Sequence, residues 1–166
     1  MDQFTLLYLP IMHKKNSMKI LMVCLGNICR SPLAEGVMRH LINEQNLGWE
    51  VASAGTGDWH VGNPPDKRGT AVAKEFGYDI SAQRGRHFTS NLFDEFDHIL
   101  VMDKNNYKDV LKLAKNDEQR NKVQFFLADR GEVMDPYRHS HLFEPVFKEV
   151  EARCKKLIER FKKEVH

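Results

Sequence analysis

The chain has 166 residues, 42% of them hydrophobic, enough for one domain with a proper core and too short for two of ordinary size. A formal net charge of only +2 excludes a strong polyanion-binding surface, and no apolar run approaches the roughly 20 residues that span a membrane, so neither nucleic acid nor membrane is expected as a partner. Three cysteines, an odd number, argue against a disulfide framework and for a reducing compartment, expected to be the cytoplasm.

Residues 1–17 lack a basic start, their apolar stretch is broken by Pro10, and no small-residue cleavage site follows, so a signal peptide is not expected. They read as an N-terminal extension of uncertain structure, or a start site placed too early, ahead of a domain at 18–166. The alternative reading is that this apolar stretch docks on the domain or pairs with a second copy. The expected state is a monomer or a weak homodimer.

Residues 19–23 form a short apolar run that reads as a buried strand, and Ser31-Pro32 followed by Leu33-Ala34-Glu35 reads as a helix start. Ser31 is the expected N-cap, with Pro32 at the first helical position. Between strand and helix lie Cys24, Leu25, Gly26, Asn27, Ile28, Cys29 and Arg30. A loop of this kind aims backbone N–H groups inward, and the helix dipole adds positive charge, so a phosphate-sized dianion is welcome there. Arg30 can grip two phosphoryl oxygens through its planar fork, and the same field favours a thiolate at Cys24. Ser31 can donate a hydrogen bond to that sulfur. Gly26 supplies backbone freedom, and Asn27 tolerates a left-handed conformation while bracing the loop. A buried structural cysteine is the commoner fate of an isolated Cys, but here the thiol, the arginine and the Ser-Pro helix start occur together. Cys24 and Cys29 alone do not complete a tetrahedral metal site, so no metal is expected.

A helix follows to about residue 46, with Asn46-Leu47-Gly48 as its stop, and 49–54 read as a second strand. The turn-rich stretch 55–65 carries Trp59, which in so polar a loop reads as a binding wall. Residues 66–76 have helical period and end at Gly77. Arg86 and His87 either brace the phosphate loop or face solvent. Residues 97–103 form a third buried strand ending in Asp103, expected to order neighbouring loops or to cap a helix over 105–114. Residues 123–127 form a fourth strand. Leu142, Phe143, Val146, Phe147, Val150, Cys154, Leu157, Ile158 and Phe161 make one amphipathic stripe, so the chain closes with a helix against the sheet and Cys154 belongs to the core. Strands alternating with helices imply an α/β domain with a parallel sheet covered on both faces.

The run from Val23 to Pro32 resembles the phosphate-binding loop of the low-molecular-weight protein tyrosine phosphatases, and Met102-Asp103 and Asp135-Pro136-Tyr137 continue the likeness in the family's order. The resemblance covers roughly 18–161. It implies a single flavodoxin-like domain with strand order 2-1-3-4, no cofactor, and hydrolysis of phosphotyrosine through a phosphocysteine. Met134-Asp135-Pro136-Tyr137 would otherwise read as a common Asp-Pro turn. Beside the Cys24 loop, Asp135 becomes the expected general acid, since a phenoxide leaving group has a conjugate acid of pKa about 10 and a neighbouring phosphate dianion favours a protonated carboxyl. Tyr137 would form a second aromatic wall beside Trp59. The implied partner is a phosphotyrosine-containing protein, a bacterial tyrosine kinase being one candidate. Cys29 is near enough to Cys24 in sequence for a reversible disulfide that protects the thiolate.

Three alternatives differ by identifiable features. Thiol-coupled arsenate reductases share the loop but carry further redox cysteines, whereas this chain has none between Cys29 and Cys154. Relatives acting on phosphoarginine carry Thr where this chain has Ile28, and Ile28 favours aryl phosphates. A catalytically idle phosphotyrosine-binding module would not require Cys24, Arg30 and Asp135 together.

Overall fold

The computed structural model of the protein describes residues 17–165, and the N-terminal extension expected from the sequence lies, apart from Ser17, outside the described residues. Among the described residues four strands form one parallel sheet in the order β2-β1-β3-β4, with β1 at Lys19–Cys24, β2 at Glu50–Gly55, β3 at His98–Val101 and β4 at Val123–Phe125. The fold class and strand order expected above are those observed.

After Lys19, strand β1 is apolar and buried because both of its faces are covered. Successive side chains point to opposite faces. Ile20, Met22 and Cys24 therefore join the core built with Leu33, Val37, Phe147 and Leu157, while Leu21 and Val23 join Phe88, Phe93, Ile99 and Val110 on the other side. The first face is closed by helices α1 (Arg30–Glu44), α2 (Lys67–Glu75) and α6 (Phe143–Glu164), and the second by α3 (Leu92–Glu95) and α4 (Lys104–Leu111). A five-residue helix, α5 (Asp117–Asn121), leads into β4. The stripe read from the sequence is the buried face of α6, with Cys154 wholly buried in it, except that Leu142 falls in a 3-10 turn, Ser140–Leu142, before the helix.

Two boundaries differ from expectation for reasons that bear on function. Strand β1 continues through Cys24, whose register partner is Gly55, so the thiol is the last strand residue and inherits the rigidity of the sheet. Helix α1 starts at Arg30 after Cys29, and no side chain caps it. Ser31 is therefore not the N-cap, and Pro32 is the third helical residue, where its missing N–H still removes no intrahelical bond. The Ser31 hydroxyl is engaged elsewhere, as described next.

The C-terminal ends of β1, β2 and β3 meet at one edge of the sheet. There the backbone N–H of Met102 donates to Val23 O at 3.0 Å and that of Val133 donates to Met102 O at 2.8 Å, which docks the 133–137 segment beside the strand ends. Open α/β sheets place ligands at this edge.

Candidate active site

Between Cys24 and Arg30 the chain curls around its own strand end. Asn27 adopts φ +55°, the left-handed conformation that Asn tolerates better than most residues, and its backbone N–H points at Cys24 Sγ, 3.3 Å away. Ser31 Oγ approaches the same sulfur at 3.0 Å. This is what the serine does in place of capping the helix.

The loop is braced from behind by a buried polar chain. Asn27 Nδ2 donates to Ser31 Oγ and to Ser53 Oγ, each at 2.8 Å, while its Oδ1 accepts the backbone N–H of Arg86 at 2.9 Å. Ser53 donates to Glu35 Oε1 at 2.7 Å, and Arg39 donates to Glu35 Oε2 at 2.7 Å. Every polar side-chain atom of Asn27 is thus satisfied in an interior where a lost partner costs about 1–3 kcal/mol. Asn27 and Ser31 are buried and stand behind the cleft lining, supporting it. Gly55 lets the loop come this close, since a Cβ there would sit 2.8 Å from Leu25 O and 3.2 Å from the Asn27 Cβ.

Arg30 is buried with its side chain 4% exposed, and its Nη1 donates to Asp103 Oδ2 at 2.7 Å and to Val133 O at 3.0 Å. Its Nη2 lies 3.7 Å from Asp135 Oδ2. Burial alone would weaken the Arg30 charge, but Cys24, the hydrogen-bonded Asp103 and Asp135 together raise its pKa above the ordinary value. Asp103 meets both expectations placed on it: its Oδ1 accepts the Asn106 N–H at 2.8 Å as the N-cap of α4, and its other oxygen fixes Arg30.

Cys24, Leu25, Gly26, Ile28, Cys29, Arg30, Trp59, Asp135 and Tyr137 line one open cleft of about 380 Å³. Trp59 and Tyr137 are 61% and 49% exposed, as walls rather than core residues are. Arg138, next to Tyr137 in the chain, lines it too, as do two residues that the sequence did not single out, His60 and His139. Cys29 is buried beside Cys24. Burial above all, then Asp66, Cys24 and Asp135, push its thiol well above the usual range, so it is neutral where a nucleophile would be anionic.

Arg86 and His87, left open by the sequence, do both things. The Arg86 backbone braces Asn27 and accepts from Gly55 N at 2.7 Å, while its guanidinium turns outward to Glu95 at 3.1 Å. His87 Nδ1 lies 3.2 Å from Gly57 O. Nothing in the residue pattern marks Ser53, Glu35 or Val133 for these roles, which depend on contacts between distant segments.

At one edge of a parallel α/β sheet, then, a loop curls around a cysteine, and an arginine and a carboxylate line the same cleft. Residues 19–166 match the family described as low molecular weight phosphotyrosine protein phosphatase, and the chain belongs to that family of protein-tyrosine phosphatases. A provisionally named low molecular weight protein-tyrosine-phosphatase from Synechocystis sp. is 41% identical over 157 residues, covering 89% of this chain and 99% of the relative. A crystal structure of a protein tyrosine phosphatase from Entamoeba histolytica, with Hepes in its active site, superposes with a TM-score of 0.81 at 35% identity, covering 88% of this chain and 97% of that one. Vibrio vulnificus Wzb in complex with benzylphosphonate gives a TM-score of 0.78 at 32% identity, covering 86% of this chain and 98% of the other.

Proposed function

We propose that this chain hydrolyses phosphotyrosine in proteins, and small aryl phosphates, through a phosphocysteine on Cys24. The observation that carries the reading is Asp135 Oδ2 standing 3.7 Å from Arg30 Nη2, in the cleft that holds Cys24. The phosphoryl group sits in the loop with its oxygens on Arg30 and the loop amides, which offset the charge of the reacting group. Cys24 Sγ attacks phosphorus, the P–O bond to the tyrosyl oxygen breaks, and Asp135 delivers its proton to that oxygen, so tyrosine leaves neutral. Asp135, now ionised, takes a proton from water as the water attacks phosphorus. The S–P bond breaks, inorganic phosphate forms, and the sulfur returns as thiolate with a hydrogen bond from Ser31 to stabilise it.

The aromatic walls suit an aryl phosphate, since stacking adds about 0.5–1.5 kcal/mol beyond area burial. Benzylphosphonate in Vibrio vulnificus Wzb, a benzyl ring on a tetrahedral phosphorus, supports the same preference here. The substrate is a phosphotyrosine-bearing protein, a bacterial tyrosine kinase among the candidates, and a free thiolate suits a reducing compartment such as the cytoplasm. Among the described residues no helix is long and apolar enough to cross a membrane. Comparing phosphotyrosine with phosphoarginine as substrates tests the aryl preference assigned to Ile28, and faster turnover of phosphoarginine would refute it.

A further inference from the structure

We propose that Arg68 is a positioning residue for Asp135, holding the acid-bearing segment at a fixed distance from the phosphate loop. The inference rests on the assignment of Asp135 as general acid. Asp66, the residue before α2, donates its backbone N–H to Ile28 O in the phosphate loop at 2.8 Å. Its carboxylate caps α2 through the Arg68 N–H at 2.9 Å and accepts from Arg68 Nε and Nη2 at 3.0 and 2.9 Å. Nη2 also donates to Tyr137 O at 2.8 Å, and Nη1 donates to Ser140 Oγ at 2.9 Å. The guanidinium carbon lies 4.5 Å from the centre of the Phe143 ring and 5.6 Å from that of Tyr137. The Tyr137 N–H in turn donates to Asp135 Oδ1 at 3.1 Å, leaving Oδ2 as the oxygen nearer Arg30.

One continuous path therefore runs from Ile28 through Asp66 and Arg68 to Tyr137 and Asp135. The segment it holds needs such a tie. Residues 131–139 have no helix or strand, and Asp135 is 47% exposed in its side chain, so few packed neighbours fix the carboxylate. The planar fork matters, because Arg68 reaches Asp66, Tyr137 and Ser140 at once and a lysine ammonium has no equivalent geometry. Burial would raise the Asp66 carboxyl, but the hydrogen bonds from Arg68 outweigh it and hold the group below the usual carboxylate range, so the tie persists at neutral pH. The Arg68 end of the pair is open to solvent, which limits its contribution to stability, and the function of the pair is geometric.

The test uses leaving groups. Phenyl phosphate expels a phenoxide whose conjugate acid has a pKa of about 10 and needs a proton, whereas 2,4-dinitrophenyl phosphate expels an anion that does not. Arg68→Ala is expected to lower kcat/KM about 10–100-fold on phenyl phosphate while changing the dinitrophenyl ester less than about threefold. Arg68→Lys is expected to fall between parent and alanine variant and keeps the test alive should the alanine protein not fold. Added to Asp135→Asn, Arg68→Ala should cost nothing further on phenyl phosphate. Equal losses on both esters, no loss on either, or full additivity with Asp135→Asn would overturn the proposal. If Asp135→Asn itself slows both esters equally, the acid assignment fails and this inference with it. If Asp135→Asn discriminates between the esters and the Arg68 variants do not, this inference alone fails.

Discussion

Asp103 holds Arg30 from behind: Oδ2 accepts from Nη1 at 2.7 Å, while Oδ1 caps the helix that follows β3. One carboxylate thereby fixes the arginine of the cleft and a helix start, so the arginine is aimed before any substrate arrives.

Replacing Asp103 with Ala removes a hydrogen bond to a charged group and a cap, and should cost about 1.5–3 kcal/mol of stability. Loss of the aim on Arg30 should lower kcat/KM by roughly 10–100-fold. Asp103→Asn keeps an acceptor for the cap and should lose less stability than Asp103→Ala. Urea unfolding and para-nitrophenyl phosphate kinetics on the two variants check this, and equal stability in both would show that the cap contributes nothing.

Asn27 combines a left-handed backbone with three buried side-chain hydrogen bonds, and the two contributions separate by mutation. Asn27→Gly keeps the conformation and loses the bonds, whereas Asn27→Ala also pays backbone strain of order 1–3 kcal/mol. Both should be less stable than the parent, alanine more so, with activity lost as the loop slackens. Thermal unfolding in the same buffer reads the order directly.

Cys29, whose thiol burial and nearby carboxylates push up, should resist alkylation at neutral pH while Cys24 reacts. Peptide mapping after iodoacetamide would show it, and labelling at Cys29 first would contradict it. The same thiol can condense with a peroxide-generated sulfenic acid on Cys24, releasing water and forming a disulfide. Cys29→Ser should then recover less activity on thiol treatment after peroxide, and full recovery would exclude this protection.

His98 carries a pH dependence of stability. Burial lowers its pKa below the ordinary histidine value, although Glu164, 3.2 Å from its Nε2, and Asp97 act in the opposite sense. An unfolded histidine, with a pKa of about 6.5, therefore binds its proton before the folded one does. As pH falls through that value the unfolded state takes up more protons and stability declines. Urea midpoints near pH 7.5 and pH 5.5 should show a smaller decline for His98→Gln than for the parent.

Legibility in the sequence followed contact range. The run from β1 through Cys24 and Arg30 into α1 was readable because strand, loop and helix start are contiguous, and the α6 stripe because a period sustained over many residues identifies a face. Helices α3 and α5, of four and five residues, are too short to show a period. Ser31 was misplaced as a cap because its hydroxyl, facing a buried sulfur and Asn27, has stronger claims than the helix end. The link from Arg68 to Tyr137 spans 69 positions, and only folding brings its two ends together.

The most direct measurement is to stop the reaction of a phosphotyrosyl peptide within one turnover, in the parent and in Cys24→Ser, and locate enzyme-bound phosphate by peptide mapping. Phosphate on Cys24 in the parent, and neither phosphate nor turnover in Cys24→Ser, is the predicted result. Phosphate on another residue, or turnover by Cys24→Ser, would contradict it.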